Sequence, residues 1–521
     1  MIHIHEEAAR CLLCADAPCS KACKDADPAR AIRAVRFGNE AIARQWVAQA
    51  DEAELVAAEK ACIHYDRPIR IREMAKALGE RFPVEPGMTQ DAEPGMTQDA
   101  GPGMTQDAEP GMTQSVMADS DRPSLAIDFC GIRCENPFFL ASSAVCTNYE
   151  MVARAFEAGW AGVFYKTICL QDIKEVSPRF DAVYESGRKG DFYGFRNMEQ
   201  LSENPVEMDF DILRRLKQDY PSKIVVASIM GQSEDEWIKL ARMAEDAGCD
   251  AVELNFSCPQ MRETGMGCDV GQDPELVTFF TAYVKRSVSI PVIPKMTPNI
   301  AHISQPAMGA YFAGADAISA INTIKSVTLG EGSEVSGCQT GSGYSGRAVK
   351  PIALRHILAM VKNPIMKNIQ YSGIGGIETW RDALEFIQLG CRNVQVCTAV
   401  MQYGYRIIDD MILGLQNYMA ERGISNLADL VGELLPKFYL PHDLDRSTVV
   451  FPKIDREKCI GCGRCYTSCS DGGHQAIAFG QDRQPRVNGA KCVGCLLCRL
   501  VCPTGAITPA KRVRKKDYSL G

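Results

Sequence analysis

No stretch of the sequence offers about 18 uninterrupted apolar residues, so no helix is expected to span a membrane. The start, MIHIHEEAARC, is charged and lacks the apolar run of a secretory signal. A soluble, cytoplasmic protein is the expectation. Positive charge is also short. The 57 Lys and Arg are outnumbered by 65 Asp and Glu, for a net charge of −8, which argues against a nucleic-acid binder. No G-x-G-x-x-G fingerprint follows a strand, so no nicotinamide-binding Rossmann unit is evident. Cysteine, by contrast, is abundant at 23 residues. Thirteen of them cluster near the termini, largely in C-x-x-C spacings, which in a cytoplasmic chain signals metal or redox centres rather than disulfides.

At 521 residues and 46% apolar composition, two or three domains with a large core are expected. Residues 1–84 are rich in Ala, Arg and Glu and read as a small helical cysteine-rich segment. Residues 85–121 open with EPGMTQDA repeated almost without change. Pro-Gly in every unit prevents helix or strand, and the segment reads as a flexible tether. From 122 to 436, eight apolar runs begin near positions 138, 162, 224, 251, 291, 317, 370 and 394. Amphipathic stretches separate several of them, such as SEDEWIKLARMAEDAG, where Ser233 and Glu236 are spaced as a capping box. The pattern predicts an α/β (β/α)8 TIM barrel, with a doubly wound open sheet as the alternative. Polar residues at the C-terminal ends of the runs favour the barrel, because that face carries its sites.

Residues 437–521 hold CIGCGRCYTSC and CVGCLLCRLVCP, both C-x2-C-x2-C-x3-C. This is the spacing of an α+β two-cluster ferredoxin, in which the fourth cysteine of each run crosses to the other [4Fe–4S] cluster. One cluster is expected on Cys459, Cys462, Cys465 and Cys502, and its partner on Cys492, Cys495, Cys498 and Cys469. A pair of structural zinc sites is the competing reading.

In order along the chain, NPFFLASSAV, FYKTI, SPRF, GFRNMEQLSE, NFSCPQ, GQDPEL, KMTPNI, AINTIKS, SGYSGRAVKPIAL, SGIGGIETW and QVCTAVM resemble the dihydroorotate/dihydropyrimidine dehydrogenase family. The N-terminal CLLCADAPCSKAC and the later ACIHYDRPIRI resemble the iron–sulfur segment that precedes the barrel in some members. That likeness implies one further cluster on Cys11, Cys14, Cys19 and Cys62, with Cys23 left over. Two clusters, or none, are the alternatives.

The resemblance implies FMN in the barrel. Ser142, Ser143, Lys166 and Thr167 would reach the flavin ring, and Lys295 would place a positive charge by N1 or O2. Gly346, Gly375, Gly376 and Thr398 would cradle the phosphate. Asn197, Glu199, Asn255, Asn322 and Thr323 would meet the polar edge of a pyrimidine. The implied activity is reduction of uracil or thymine at the 5,6-double bond, with electrons from an FAD- and NAD(P)H-binding partner subunit and an oligomeric assembly. Dihydroorotate or another cyclic imide is the alternative substrate, with Arg196 the nearby cation for a carboxylate. An electron carrier with an inactive barrel is the alternative role. A cysteine thiol, ionising ordinarily near pH 8.5, suits the general acid. Cys268 is the favoured candidate, on a glycine-rich loop that could close over the ring. Cys258, at the strand end, is the other.

Overall fold

The computed structural model describes residues 3–64, 67–82, 122–184, 192–259, 261, 265–329 and 338–515. The tether expected at 85–121 lies outside the described residues. The chain forms two compact units, residues 1–435 and 436–521.

In the first unit the eight apolar runs are eight parallel strands: β1 (Phe138–Leu140), β2 (Gly162–Phe164), β3 (Ile224–Ile229), β4 (Ala251–Asn255), β5 (Val292–Lys295), β6 (Ala317–Ala320), β7 (Gln370–Ile374) and β8 (Cys391–Val396). They pair in sequence order and β8 closes on β1, so the barrel is complete and the open-sheet alternative falls. Their burial is continuous rather than alternating, as expected of strands covered by helices outside and packed side chains inside. β8 begins three residues before the apolar signal, because Cys391 and Asn393 are buried there with the rest.

The helix after β3 runs Glu234–Asp246, and the Ser233 side chain accepts from Glu236 N at 3.4 Å. The second half of the expected capping box differs. The Glu236 carboxylate takes Gln232 N at 2.8 Å and Gln171 Nε2 at 3.1 Å, tying the helix to a neighbouring loop instead. A four-stranded antiparallel sheet stands apart from the barrel strands, ordered Ile324–Ser326, Ser342–Ser345, Phe192–Asn197, Phe180–Tyr184. It carries Asn197 at its inner end.

The N-terminal residues fold as short helices with their own apolar core, and that core includes Leu413 from the barrel's last long helix, Ile407–Glu421. Phe37 travels the other way into the barrel core. Between these exchanged side chains, Arg33 on helix Pro28–Arg36 bonds Asp410 at 2.7 Å and meets Asp409 at 3.4 Å. Burial pushes both carboxyls above their usual range, with the arginine opposing it. Removing one member of a buried pair leaves the other uncompensated, at about 3–5 kcal/mol. Arg33→Met is therefore expected to lower the unfolding midpoint measurably, whereas Arg72→Met on an exposed pair should leave it nearly unchanged. Thermal melts of the two variants, followed by circular dichroism, make the comparison.

Candidate functional site

The strand ends of the barrel line a cavity of about 730 Å³, part of it open to solvent. Ten of the expected residues border it: Ser142, Ser143, Asn197, Lys295, Asn322, Thr323, Gly346, Gly375, Gly376 and Thr398. Gly346, Gly375 and Gly376 have φ of +86°, +124° and +74°, which only glycine adopts freely. A Cβ on Gly376 would come within 2.7 Å of Lys350 N, so the backbone amides here stay open to a ligand. Thr398 opens helix Thr398–Tyr403, and its hydroxyl lies 3.2 Å from that of Ser345. The hexapeptide GSGYSG (341–346), although spaced as G-x-G-x-x-G, contains the strand Ser342–Ser345 and ends at this cavity rather than at a Rossmann turn.

Lys166, Thr167, Glu199 and Asn255 are not on the cavity wall. They belong to polar clusters of buried side chains instead. Thr167 Oγ1 meets Ser142 Oγ at 3.0 Å and Ser228 Oγ at 2.9 Å, and accepts from Asn255 Nδ2 at 2.9 Å. Ser257 Oγ donates to Asn255 Oδ1 at 2.7 Å and accepts from Asn322 Nδ2 at 2.9 Å. Lys166 Nζ pairs with Glu199 at 3.0 Å, and Arg179 reaches the same carboxylate at 3.6 Å. Glu199 N in turn donates to Asn197 Oδ1. Ser228, Ser257, Ser345 and Gln395 are additions that sequence reading missed, and their only sequence signal is position at or near a strand end. Gln395 lines the cavity, and its Oε1 is buried without a hydrogen-bond partner. An orphaned buried acceptor of this kind calls for a ligand donor.

Arg196 is buried and committed elsewhere. Its Nε donates to Ser342 Oγ at 2.8 Å, its Nη2 donates to Thr340 O at 2.7 Å, and Asp181 lies 3.8 Å away. It braces the four-stranded sheet.

Neither candidate thiol borders the cavity. Cys258 directly follows Ser257 in the network and precedes Pro259, which lines a separate cavity with Met198 and Gln200. Cys268 opens the short helix Cys268–Gly271. Its N–H donates to Cys258 O at 2.9 Å, and its Sγ lies 3.8 Å from Asp269 Oδ1. Residues 260 and 262–264 of this loop lie outside the described residues. The segment around Cys268 is packed rather than slack, since a Cβ on Gly271 would lie 1.9 Å from Phe256 O.

The second unit places the two cysteine runs around two cavities of about 340 and 350 Å³. The first is lined by Cys459, Cys462, Cys465 and Cys502, and the second by Cys469, Cys492, Cys495 and Cys498. Each fourth cysteine has crossed to the other set, as the spacing predicts. Burial raises the Cys502 thiol, but backbone N–H groups of Thr504, Ala506 and Ile507 outweigh it and bring it below the ordinary value. Such a thiol is a ready thiolate ligand.

In the first unit, Cys11, Cys14, Cys19 and Cys62 line a third cavity of about 390 Å³. Cys23 is not on its wall. Its thiol lies 3.7 Å from Glu54 O. Arg406 holds the Leu13 and Cys14 carbonyls at 2.6 and 3.4 Å, and Arg36 holds that of Cys11 at 3.2 Å. Among the described residues, no three His, Cys, Asp or Glu side chains close on a single ion position. The thiols border spaces instead.

Residues 124–419 match the dihydroorotate dehydrogenase family, and residues 452–508 match the 4Fe-4S dicluster domain. The chain is 50% identical over 363 residues to the Escherichia coli (strain K12) NAD-dependent dihydropyrimidine dehydrogenase subunit PreA, covering 68% of this chain and 88% of that protein. It is 38% identical over 344 residues to the chloroplastic dihydropyrimidine dehydrogenase (NADP(+)) of Arabidopsis thaliana, covering 63% and 80%. A dihydroorotate dehydrogenase B (NAD(+)) catalytic subunit from Pyrococcus abyssi is 35% identical over 311 residues, covering 59% and 98%. The dihydroorotate dehydrogenase family implies FMN, and the cavity's glycine cradle and orphaned Gln395 acceptor fit it. Gly376→Ala forces a left-handed conformation on a Cβ, at about 1–3 kcal/mol. FMN affinity is expected to fall about tenfold or more in consequence, as read by flavin fluorescence during titration of the apoprotein.

Proposed function

Because the chain belongs to the dihydroorotate dehydrogenase family and is an oxidoreductase, we propose that it reduces uracil and thymine at the 5,6-double bond. The observation that carries this reading is the amide-rich edge of the site combined with the fate of Arg196. Asn197 and Asn322 border the cavity with Asn255 behind them, suited to an uncharged cyclic imide. Arg196, the cation that the sequence offered for a carboxylate-bearing pyrimidine, is spent on Ser342, Thr340 and Asp181.

FMN, when bound, supplies hydride chemistry to one ring carbon and accepts electrons singly. The chain's own residues do the rest. Lys295 Nζ holds a fixed positive charge at the cavity wall, where burial leaves it weakly screened. The Thr167–Asn255–Ser257–Asn322 network fixes the amides in one orientation, so that a ligand lacking their complement leaves buried groups unpaired. For the proton we assign Cys258 rather than the loop cysteine favoured by sequence. It adjoins Ser257 in that network, whereas the Cys268 thiol is turned towards Asp269. Gly267 and Gly271 serve close packing on either side of Cys268, which supports a fixed position for that thiol.

The Cys459 set and the Cys469 set would each hold a [4Fe–4S] cluster, and the four N-terminal thiols a third. The clusters would relay single electrons from a partner subunit carrying FAD and an NAD(P)H site, as the naming of one relative as a subunit of an NAD-dependent enzyme supports. The division into an N-terminal segment, tether, barrel and ferredoxin module remains part of this proposal.

Two measurements test the reading. Uracil reduction by the purified chain, driven by a chemical one-electron donor, is expected to fall about 10²-fold or more in Cys258→Ala, in line with loss of a general acid. Cys268→Ala should retain most activity. The reverse result moves the acid to the loop, and no turnover of uracil by flavin-loaded protein removes the substrate assignment. Separately, anaerobic reconstitution is expected to give about twelve iron atoms per chain, falling by about four in Cys62→Ser. An unchanged iron content in that variant rejects the N-terminal cluster.

A further inference from the structure

Glu253 takes no part in anything described above, yet it is a fully buried charge on a barrel strand. It is the third residue of β4 and is 0% exposed. An ionised carboxylate in such a place is tolerated only when paired and hydrogen-bonded. Three other strands of the barrel supply the partners. Ser228 on β3 donates to Oε1 at 2.9 Å, and Ser319 on β6 donates to Oε2 at 2.8 Å. Lys295, at the end of β5, places Nζ 3.5 Å from Oε1. That same lysine borders the cavity of the flavin site. Well-packed apolar residues often replace such a buried pair with no loss of stability, so a role beyond packing is worth testing.

We propose that Glu253 is a positioning residue that sets the reduction equilibrium of the flavin by opposing the charge of Lys295 from behind. Lys295 alone would stabilise the negative charge of reduced flavin and so make it a weaker hydride donor. A carboxylate 3.5 Å behind it withdraws part of that field, and screening is slight at this depth. The two serine hydroxyls fix the carboxylate and share its charge. The inference rests on FMN occupying the cavity.

A simpler role, in which Glu253 only anchors the lysine, gives the opposite sign. If the carboxylate is a counter-charge, Glu253→Gln frees the field of Lys295 and favours reduced flavin. If it is an anchor, the loosened lysine stabilises reduced flavin less. The test is a dye-coupled potentiometric titration of the full chain with its bound flavin. In Glu253→Gln the equilibrium is expected to shift tenfold or more towards the reduced form, about 30 mV positive for a two-electron couple. Lys295→Met should shift it negative. A negative shift or none in Glu253→Gln overturns the proposal. Should that variant fail to fold, Ser319→Ala is read instead. It is expected to move the equilibrium negative, because a carboxylate stripped of one hydroxyl bond pulls harder on the lysine, and no shift overturns the proposal. Wild-type chain that binds no flavin overturns the cofactor reading as well. Flavin bound with an unmoved potential overturns this inference alone.

Discussion

Thr167 Oγ1 is shared by Ser142, Ser228 and Asn255, and so joins the end of β2 to residues on or beside β1, β3 and β4. A threonine hydroxyl has one proton and two lone pairs, and here each of its possible partners comes from a different strand. The arrangement follows from barrel closure. Eight parallel strands deliver their C-terminal ends to one rim, where burial removes water and polar side chains must satisfy one another. From Ser228 the same chain of contacts descends to Glu253 and across to Lys295. The rim and the deeper charge pair are therefore one continuous polar body inside an apolar wall, and a change at any member is felt at the others.

Much of this architecture was legible because its signals are local. Each barrel strand is a short apolar run, and the ferredoxin spacing places four thiols around each of two cavities through turns of two and three residues. Even the crossing of Cys469 and Cys502 is written in the spacing. The network was not legible, because its bonds join residues that lie far apart in the chain. IVVASI reads as a buried strand, and nothing in it shows that Ser228 will meet residues 61 positions before it and 25 after. Glu253 was hidden for the same reason, as one acid in an apolar run.

The glycines around Cys268 show how one local signal can carry two physical meanings. Glycine clusters read as slack, and slack supports a loop that swings over a substrate. Gly267 and Gly271 instead stand where a side chain would strike the Cys258 and Phe256 carbonyls, at 2.4 and 1.9 Å. The residues were chosen for close approach. Arg196 teaches a similar lesson, since a cation adjacent in sequence to a site residue need not share its surroundings. On a strand, neighbours point to opposite faces.

The exchange of Leu413 and Phe37 between two cores also bears on how the chain is made. The N-terminal helices are synthesised first, but the leucine that fills their core and the aspartate that meets Arg33 lie at the far end of the barrel, the latter 377 residues later. Closing a loop of that length costs more entropy than any contact within the first segment. On the ribosome the segment must wait for nearly the whole barrel before its last contacts exist. Its cysteines therefore spend most of synthesis without the Arg406 contact to the backbone between them.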